Sequence, residues 1–204
     1  MILDNQQLKI SGHVTITDKL TNEILLDTHN SIHFENLSVA IVESLMSGVL
    51  NASDTTTTGF VYSMAFGNGG TTVSSTGIIT YNPPNNVGST ASLYNKTYDK
   101  IINNNFSANS DTIDNNITYD HIPGKAYTDM VISCLLDYGE PSNQTAFDNV
   151  NSIKSNYAFD ELGLISSSGQ LLTHVTFSPI IKSSNRQLDI TYVVRISTLS
   201  SLSA

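Results

Sequence analysis

The stretch 188–196, Leu-Asp-Ile-Thr-Tyr-Val-Val-Arg-Ile, decides the fold class of this chain. Large apolar side chains occupy every second position, namely Leu188, Ile190, Tyr192, Val194 and Ile196. Because successive side chains of a β-strand point to opposite faces, this alternation predicts a strand with one face in a hydrophobic core. We expect this strand to be central, and its apolar face to pack against Leu171, Val175 and Phe177 or the residues of matching parity.

Similar alternation predicts strands along most of the chain. The segments concerned are 8–17, 23–27, 60–66, 117–122, 130–138, 157–165 and 171–177. Turn-forming residues separate many of them, as in Asp18-Lys19-Leu20-Thr21-Asn22 between the first two. Many short strands with turns between them are typical of an antiparallel β-sandwich. The sequence therefore predicts a mainly β chain, folded as a single domain over residues 1–204.

One segment, residues 36–46, has the periodicity of an α-helix. Apolar residues recur there at helical spacing, and Gly48 stands where a helix would end. Asn36 is the expected N-cap, because its side chain can accept a hydrogen bond from a free amide of the first turn. Val39, Val42 and Met46 widen the apolar surface beyond one stripe. We expect this principal helix to be buried against a sheet or against a neighbouring subunit.

A long irregular insertion is predicted at about residues 71–125. Asn- and Pro-rich runs such as Pro83-Pro84-Asn85-Asn86 interrupt every apolar pattern in it. Five apolar residues nevertheless recur along this insertion: Tyr81, Ile101, Ile102, Phe106 and Ile113. Loops carried on a rigid scaffold commonly make the contacts of a protein, so these five are candidate inter-chain contacts. The alternative is that they fold back over the protein's own sandwich.

The composition excludes several classes of protein. With nine Lys and Arg against 18 Asp and Glu, the chain has a net charge of −9 and lacks the basic surface that nucleic-acid binding needs. Without an apolar run of membrane-spanning length, no transmembrane helix is expected. The segment Met1-Ile2-Leu3-Asp4 does not predict a secretory signal. The single cysteine, Cys134, allows no intramolecular disulfide and is most simply a small core residue.

Three groups of residues resemble parts of a reactive site, but their sequence context does not fit one. Gly67-Asn68-Gly69-Gly70 is followed by β-like sequence rather than a helix, so it predicts a sharp turn through left-handed conformations and not a phosphate loop. His29 and His33 would stand ~13 Å apart on an extended segment. Asp160 and Glu161 are neighbours on a strand and would point to opposite faces. We therefore expect no catalytic residues, no metal site and no cofactor.

The C-terminal half resembles a known group of proteins through an ordered series of segments. The series is Phe159-Asp160-Glu161-Leu162-Gly163-Leu164, Ser168-Gly169-Gln170-Leu171-Leu172, Val175-Thr176-Phe177-Ser178-Pro179-Ile180-Ile181-Lys182 and Leu188-Asp189-Ile190-Thr191-Tyr192. It is similar to the C-terminal signature of virion proteins from tailed bacteriophages. The N-terminal half resembles the same group, through His29-Asn30-Ser31-Ile32 and, after the helix, Met64-Ala65-Phe66-Gly67-Asn68-Gly69.

The resemblance implies a non-enzymatic structural protein of the tail, collar or baseplate, present in multiple copies. Its partners would be copies of itself and other virion proteins, and it would reside in the virion after assembly in the host cytoplasm. Two alternatives stay open: a decoration protein on the capsid surface, and a carbohydrate-binding module that contacts a host-surface glycan. In each of them, Glu161 is expected to have a structural role, accepting hydrogen bonds from backbone amides of a neighbouring turn.

Overall fold

A computed structural model describes residues 5–37, 41, 61–88, 90–141 and 156–201. These residues form twelve β-strands: β1 (Asn5–Asp18), β2 (Ile24–His29), β3 (Ser31–Ile32), β4 (Val61–Gly67), β5 (Thr71–Val73), β6 (Ile79–Tyr81), β7 (Lys96–Ile101), β8 (Asn116–Asp120), β9 (Tyr127–Leu136), β10 (Asn156–Ser166), β11 (Leu171–Ser183) and β12 (Leu188–Ser201). Residues 34–37 and 41 are helical. The predicted mainly β class is confirmed.

The strands form two five-stranded antiparallel sheets that enclose one core. The first sheet has the order β2-β1-β12-β9-β8, and the second has the order β3-β11-β10-β4-β7. Apolar side chains of both sheets meet in a single buried cluster, which includes Ile16, Ile132 and Tyr192 from the first sheet and Phe66, Leu162 and Val175 from the second. This packing is that of a β-sandwich, as the sequence predicts.

Strand β12 is the third of the five strands in its sheet, so the prediction of a central strand is confirmed. It pairs along its whole length with β1 and on its other side with β9. Ile190 lies opposite Ile16 on β1 and opposite Cys134 on β9, and all three are buried. Cys134 is thus a core residue, as expected.

One predicted partner of β12 lies on the wrong face. Val175 and Phe177 pack in the core between the sheets, whereas Leu171 belongs to a second cluster with Ala65, Leu93 and Ile165. The register of β10 and β11 shifts between Leu164 and Ile165, and this irregularity changes which side chains face the core. Leu172 therefore takes the core position that strict alternation assigns to Leu171.

The helix begins earlier than predicted, and its cap is a histidine. Residue 34 is already helical, and Nδ1 of the buried His33 accepts a hydrogen bond from the amide of Asn36 at 3.3 Å. Asn36 instead donates its side-chain amide to the carbonyl of Leu171 at 2.7 Å. The prediction of Asn36 as N-cap is wrong, because this side chain is used to bind the helix to β11. Most of the predicted helix, 38–40 and 42–46, lies outside the described residues.

The insertion at 71–125 forms part of both sheets. Its strand β7 pairs with β4 at the edge of the second sheet, and β8 pairs with β9 at the edge of the first. Strands β5 and β6 pair only with each other among the described residues and form a separate hairpin. Between these strands the chain is irregular, as predicted, but its path is fixed at several points by the sandwich.

We expect Ile190→Ala to lower the free energy of unfolding by ~2–5 kcal/mol, because it leaves a cavity in a fully buried site. The matched control is Ile196→Ala, which shortens the same side chain on the same face of β12 at a position that is 36% exposed. Guanidinium denaturation followed by circular dichroism measures both. Equal losses for the two variants would show that Ile190 does not occupy the core position described.

Candidate functional site

An extended set of hydrogen bonds surrounds the buried side chains of Asp160 and Glu161 on β10. Both carboxylates are buried, although neighbours on a regular strand point to opposite faces. The register between β10 and β11 shifts at this point, from Phe159 opposite Ile180 to Glu161 opposite Thr176. This irregularity allows two consecutive carboxylates to be enclosed by the same chain. We call the two residues, with the backbone amides that they bind, the acidic anchor.

Glu161 accepts hydrogen bonds from three different parts of the chain. Its Oε1 accepts from the amides of Gly69 at 3.0 Å and Asn95 at 2.7 Å, and its Oε2 accepts from the amide of Tyr94 at 2.8 Å. Its Oε2 also lies 3.0 Å from Nε2 of the buried His174. These contacts confirm the predicted structural role of Glu161, and they extend it to residues 94 and 95.

The tautomer of His174 follows from its two neighbours. Nδ1 of His174 lies 2.8 Å from the amide nitrogen of Asn85, which can only donate. Nδ1 is therefore an acceptor, and the ring proton is on Nε2, where it is donated to Glu161. Burial acts to raise the pKa of Glu161, but the hydrogen bonds from His174 and the three amides outweigh it and lower that pKa.

Asp160 binds the segment that follows Gly69. Its Oδ1 accepts from the amide of Gly70 at 2.8 Å, and its Oδ2 accepts from the amide of Thr71 at 2.9 Å and from the Thr71 hydroxyl at 2.5 Å. Burial is the dominant influence on this carboxyl and raises its pKa in spite of these bonds. Together the two side chains fix the path of residues 69–71 against β10.

The glycines of this turn are required for close approach and not for an unusual backbone conformation. The prediction of a left-handed turn is wrong, since the positive φ angles of the described glycines lie elsewhere. A Cβ at Gly67 would stand 2.4 Å from Oε1 of Glu161, and one at Gly70 would stand 2.3 Å from the carbonyl oxygen of Asp160. Any larger residue would therefore push the turn away from the acidic anchor.

The acidic anchor is not arranged as an acid–base site. Each oxygen of Glu161 and Asp160 is already occupied by donors from the protein itself, so a substrate would have to displace a structural hydrogen bond. The predicted pair His29 and His33 have separate partners: His29 packs edge-to-face on His13, with ring centroids 5.2 Å apart, while His33 caps the helix. Within the described part of the chain, no group of three or more His, Cys, Asp or Glu is placed to hold a metal ion.

A second polar cluster closes one end of the sandwich. The buried Lys182 donates to the carbonyls of Asp137 at 2.9 Å and Ser183 at 3.0 Å, and burial lowers its pKa to about 8. Nearby, Nζ of Lys100 lies 2.5 Å from both the Leu135 carbonyl and Oε2 of Glu140. These amines satisfy carbonyls at the ends of strands β9 and β11, which is a structural task.

The five candidate contact residues of the insertion occupy different environments. Ile113 is 85% exposed and Tyr81 is 50% exposed. Ile101 and Phe106 are partly buried, and Phe106 packs edge-to-face on Tyr62 with ring centroids 4.8 Å apart. Ile102 is 0% exposed and belongs to the inter-sheet core, so it is not available as an inter-chain contact. For Ile102 the alternative prediction, folding back onto the protein's own sandwich, is the correct one.

Sequence reasoning named Tyr81 but missed the other residues of an exposed apolar surface on the β5–β6 hairpin. Val73 and Ile79 are directly opposite each other and share a face with Tyr81, while Ile78 is in the connecting turn; all four are exposed. We call these four residues the hairpin surface. The two short β-like segments around Ser74-Ser75-Thr76-Gly77 are a hairpin signal that could have revealed it.

No described helix is both long and apolar enough to cross a membrane.

We expect Glu161→Gln to lower the free energy of unfolding at pH 7 by ~2–6 kcal/mol. The NH2 group of Gln cannot accept the hydrogen bonds from the Tyr94 amide and from Nε2 of His174, and each buried donor left without a partner costs ~1–3 kcal/mol. Because the folded pKa of Glu161 lies below its ordinary value, its stabilisation is complete above the unfolded pKa and is lost as the pH falls through the folded one. The difference between wild type and variant should therefore shrink towards pH 3. Denaturation curves at several pH values measure it.

The control for this experiment is Glu23→Gln, which makes the same change at an exposed carboxylate in the turn before β2. Its effect should be within about 0.5 kcal/mol of zero, as for other surface substitutions. If Glu161→Gln behaves like this control, the acidic anchor does not stabilise the fold.

Comparisons with known proteins found no match. No protein-family model matches the chain, and no curated protein or solved structure matches it either.

Proposed function

We propose that this chain is a non-enzymatic structural protein of a tailed-bacteriophage virion, assembled in multiple copies in the tail, collar or baseplate. The observation that carries the proposal is the contact between the two segments that resemble this group. Glu161 of the C-terminal series accepts a hydrogen bond from Gly69, at the end of the N-terminal motif. This contact places the two segments of the resemblance in one structural unit, which supports the proposal.

The described side chains favour an assembly role over a chemical one. The carboxylates of the acidic anchor bind the protein's own amides, and the amines of Lys100 and Lys182 bind its own carbonyls. In contrast, apolar side chains are exposed on the hairpin surface and at Ile113. Exposed apolar groups that lie close together are typical of protein–protein contacts. The partners proposed are copies of this chain and other virion proteins, met in the host cytoplasm.

The direct test is to locate the chain in intact particles. Phage particles would be purified from bacteria infected by the phage that encodes this chain. Gold-labelled antibodies against the recombinant chain would be bound to these particles and imaged by electron microscopy. We expect labels at the tail, collar or baseplate. Labels on the head would contradict this placement and assign the chain to capsid decoration. Absence from particles, with the chain abundant in the same infected cells, would overturn the virion role.

A second prediction concerns the contacts themselves. Replacing Val73 and Ile79 together by Asp should reduce the mass of the recombinant assembly, because charged groups at a buried interface oppose association. The thermal midpoint should fall only slightly, since both side chains are exposed in the isolated chain and the repulsion between two exposed Asp on paired strands costs at most about 1 kcal/mol. Analytical ultracentrifugation measures the mass, and circular dichroism measures the midpoint.

The control variant is Leu20→Asp, which places one such charge on a more exposed apolar residue in the turn between β1 and β2. It should assemble like the wild type. A wild-type chain that remains monomeric at high concentration, or a hairpin variant with unchanged mass, would contradict a contact at the hairpin surface.

A further inference from the structure

Charged residues are unevenly distributed along the sequence. Residues 55–95 include no Asp, Glu, Lys, Arg or His, although a charged fraction of 13% would place about five charged residues there. Residues 162–181 include only His174, which is fully buried. Every other stretch between charged residues is at most ten residues long. Two parts of the sequence are therefore depleted of charge in an otherwise acidic chain.

The structure brings these two stretches together on the outer side of the second sheet. Thr176 and Ser178 alternate with core residues of β11 and therefore point away from the core. The Thr176 hydroxyl donates to the carbonyl of Asn82 at 2.9 Å, and the hydroxyls of Tyr81 and Ser178 lie 2.6 Å apart. We call Ser178 and the described, exposed residues of 71–94 the uncharged face.

Apolar side chains are exposed along the uncharged face. It includes the hairpin surface, and in the segment that follows the hairpin Val87 is 74% exposed and Tyr94 is 43% exposed. Depletion of charged residues and enrichment of aromatic residues distinguish the centre of a protein–protein contact from ordinary protein surface. The uncharged face therefore has the composition of an interface centre, and it extends beyond the hairpin surface.

The exposed charged side chains of the described chain lie outside the uncharged face. On the first sheet, for example, Arg195 is paired with Asp129 and His13 with Asp27. Each copy has a net charge of −9, so two copies repel each other when they approach through charged surfaces. A charged side chain placed against the uncharged face would lose water without gaining an opposite charge. The surface that matches this face on another copy is therefore the same face.

We propose that the uncharged face pairs with the same face of a second copy, in an isologous contact about a two-fold axis. Such a contact closes at two copies, so larger assemblies of this chain would be built from dimers. The inference rests on the assembly role proposed above and adds the partner and the symmetry of the contact.

The test uses two double variants of opposite charge, Val73→Asp with Ile79→Asp and Val73→Lys with Ile79→Lys. In an isologous contact each variant meets its own charges, so each alone should be monomeric at concentrations where the wild type is a dimer. An equimolar mixture places an acidic face against a basic one. It should associate at least about 10-fold more tightly than either variant alone, as measured by sedimentation equilibrium.

The matched controls are Leu20→Asp and Leu20→Lys, which place charges on an exposed apolar residue outside the uncharged face. Each should form dimers like the wild type, alone and in a mixture. Circular dichroism establishes that every variant is folded.

Salt gives a second, independent measurement. The proposed contact contains no charges, whereas the net charges of the two copies repel each other. Raising NaCl from roughly 0.02 M to roughly 0.3 M should therefore tighten the wild-type dimer by about 3-fold, because salt screens this repulsion. A contact between opposite charges would instead weaken.

Four results would overturn the proposal: a mixture that associates no more tightly than the single variants, a wild type that is monomeric at every concentration, an odd-numbered assembly, or association that weakens with salt. All four concern the recombinant chain alone. The virion role is tested separately by the antibody labelling of particles, so the failure of one proposal is distinguishable from the failure of the other.

Discussion

The rest of the structure depends on one buried negative charge, the carboxylate of Glu161. A charged group removed from water must be surrounded by donors, and here three backbone amides and one imidazole supply them. Those donors come from the turn after β4, from the segment before β7 and from β11. The carboxylate thereby specifies where three separate parts of the chain lie relative to β10, which an apolar side chain of the same size could not do.

The acidic anchor also positions the hairpin surface. Thr71, bound by Asp160, is the first residue of β5 and thus of the hairpin. The path of the irregular insertion therefore depends on the sandwich, because the hairpin and the segment 94–95 both begin at residues that the acidic anchor binds.

Alternation in the sequence is enough to predict the sandwich and the burial of Ile190 and Tyr192, because each regular strand obeys a period of two. It fails where the register shifts, which explains the misplaced Leu171 and the unexpected burial of Asp160 beside Glu161. Contacts between distant segments leave no local pattern, so the hydrogen bond from Asn36 to Leu171, which replaces the predicted capping role, could not be foreseen. Tyr81 and Ile113 are exposed as a contact role requires, whereas Ile102 shows that an apolar residue in an irregular segment can complete the core.

The central position of β12 has a consequence for how the protein folds during synthesis. Its partner β1 precedes it by 170 residues where Asp18 is opposite Leu188 and by 196 where Asn5 is opposite Ser201. Until the ribosome releases residues 188–201, the first sheet lacks its middle strand, and β1 and β9 each present an unpaired edge. Pairings so distant in sequence form slowly, and open strand edges promote aggregation. The nascent chain therefore passes through a stage at which a chaperone, or a neighbouring copy, can occupy the place of β12.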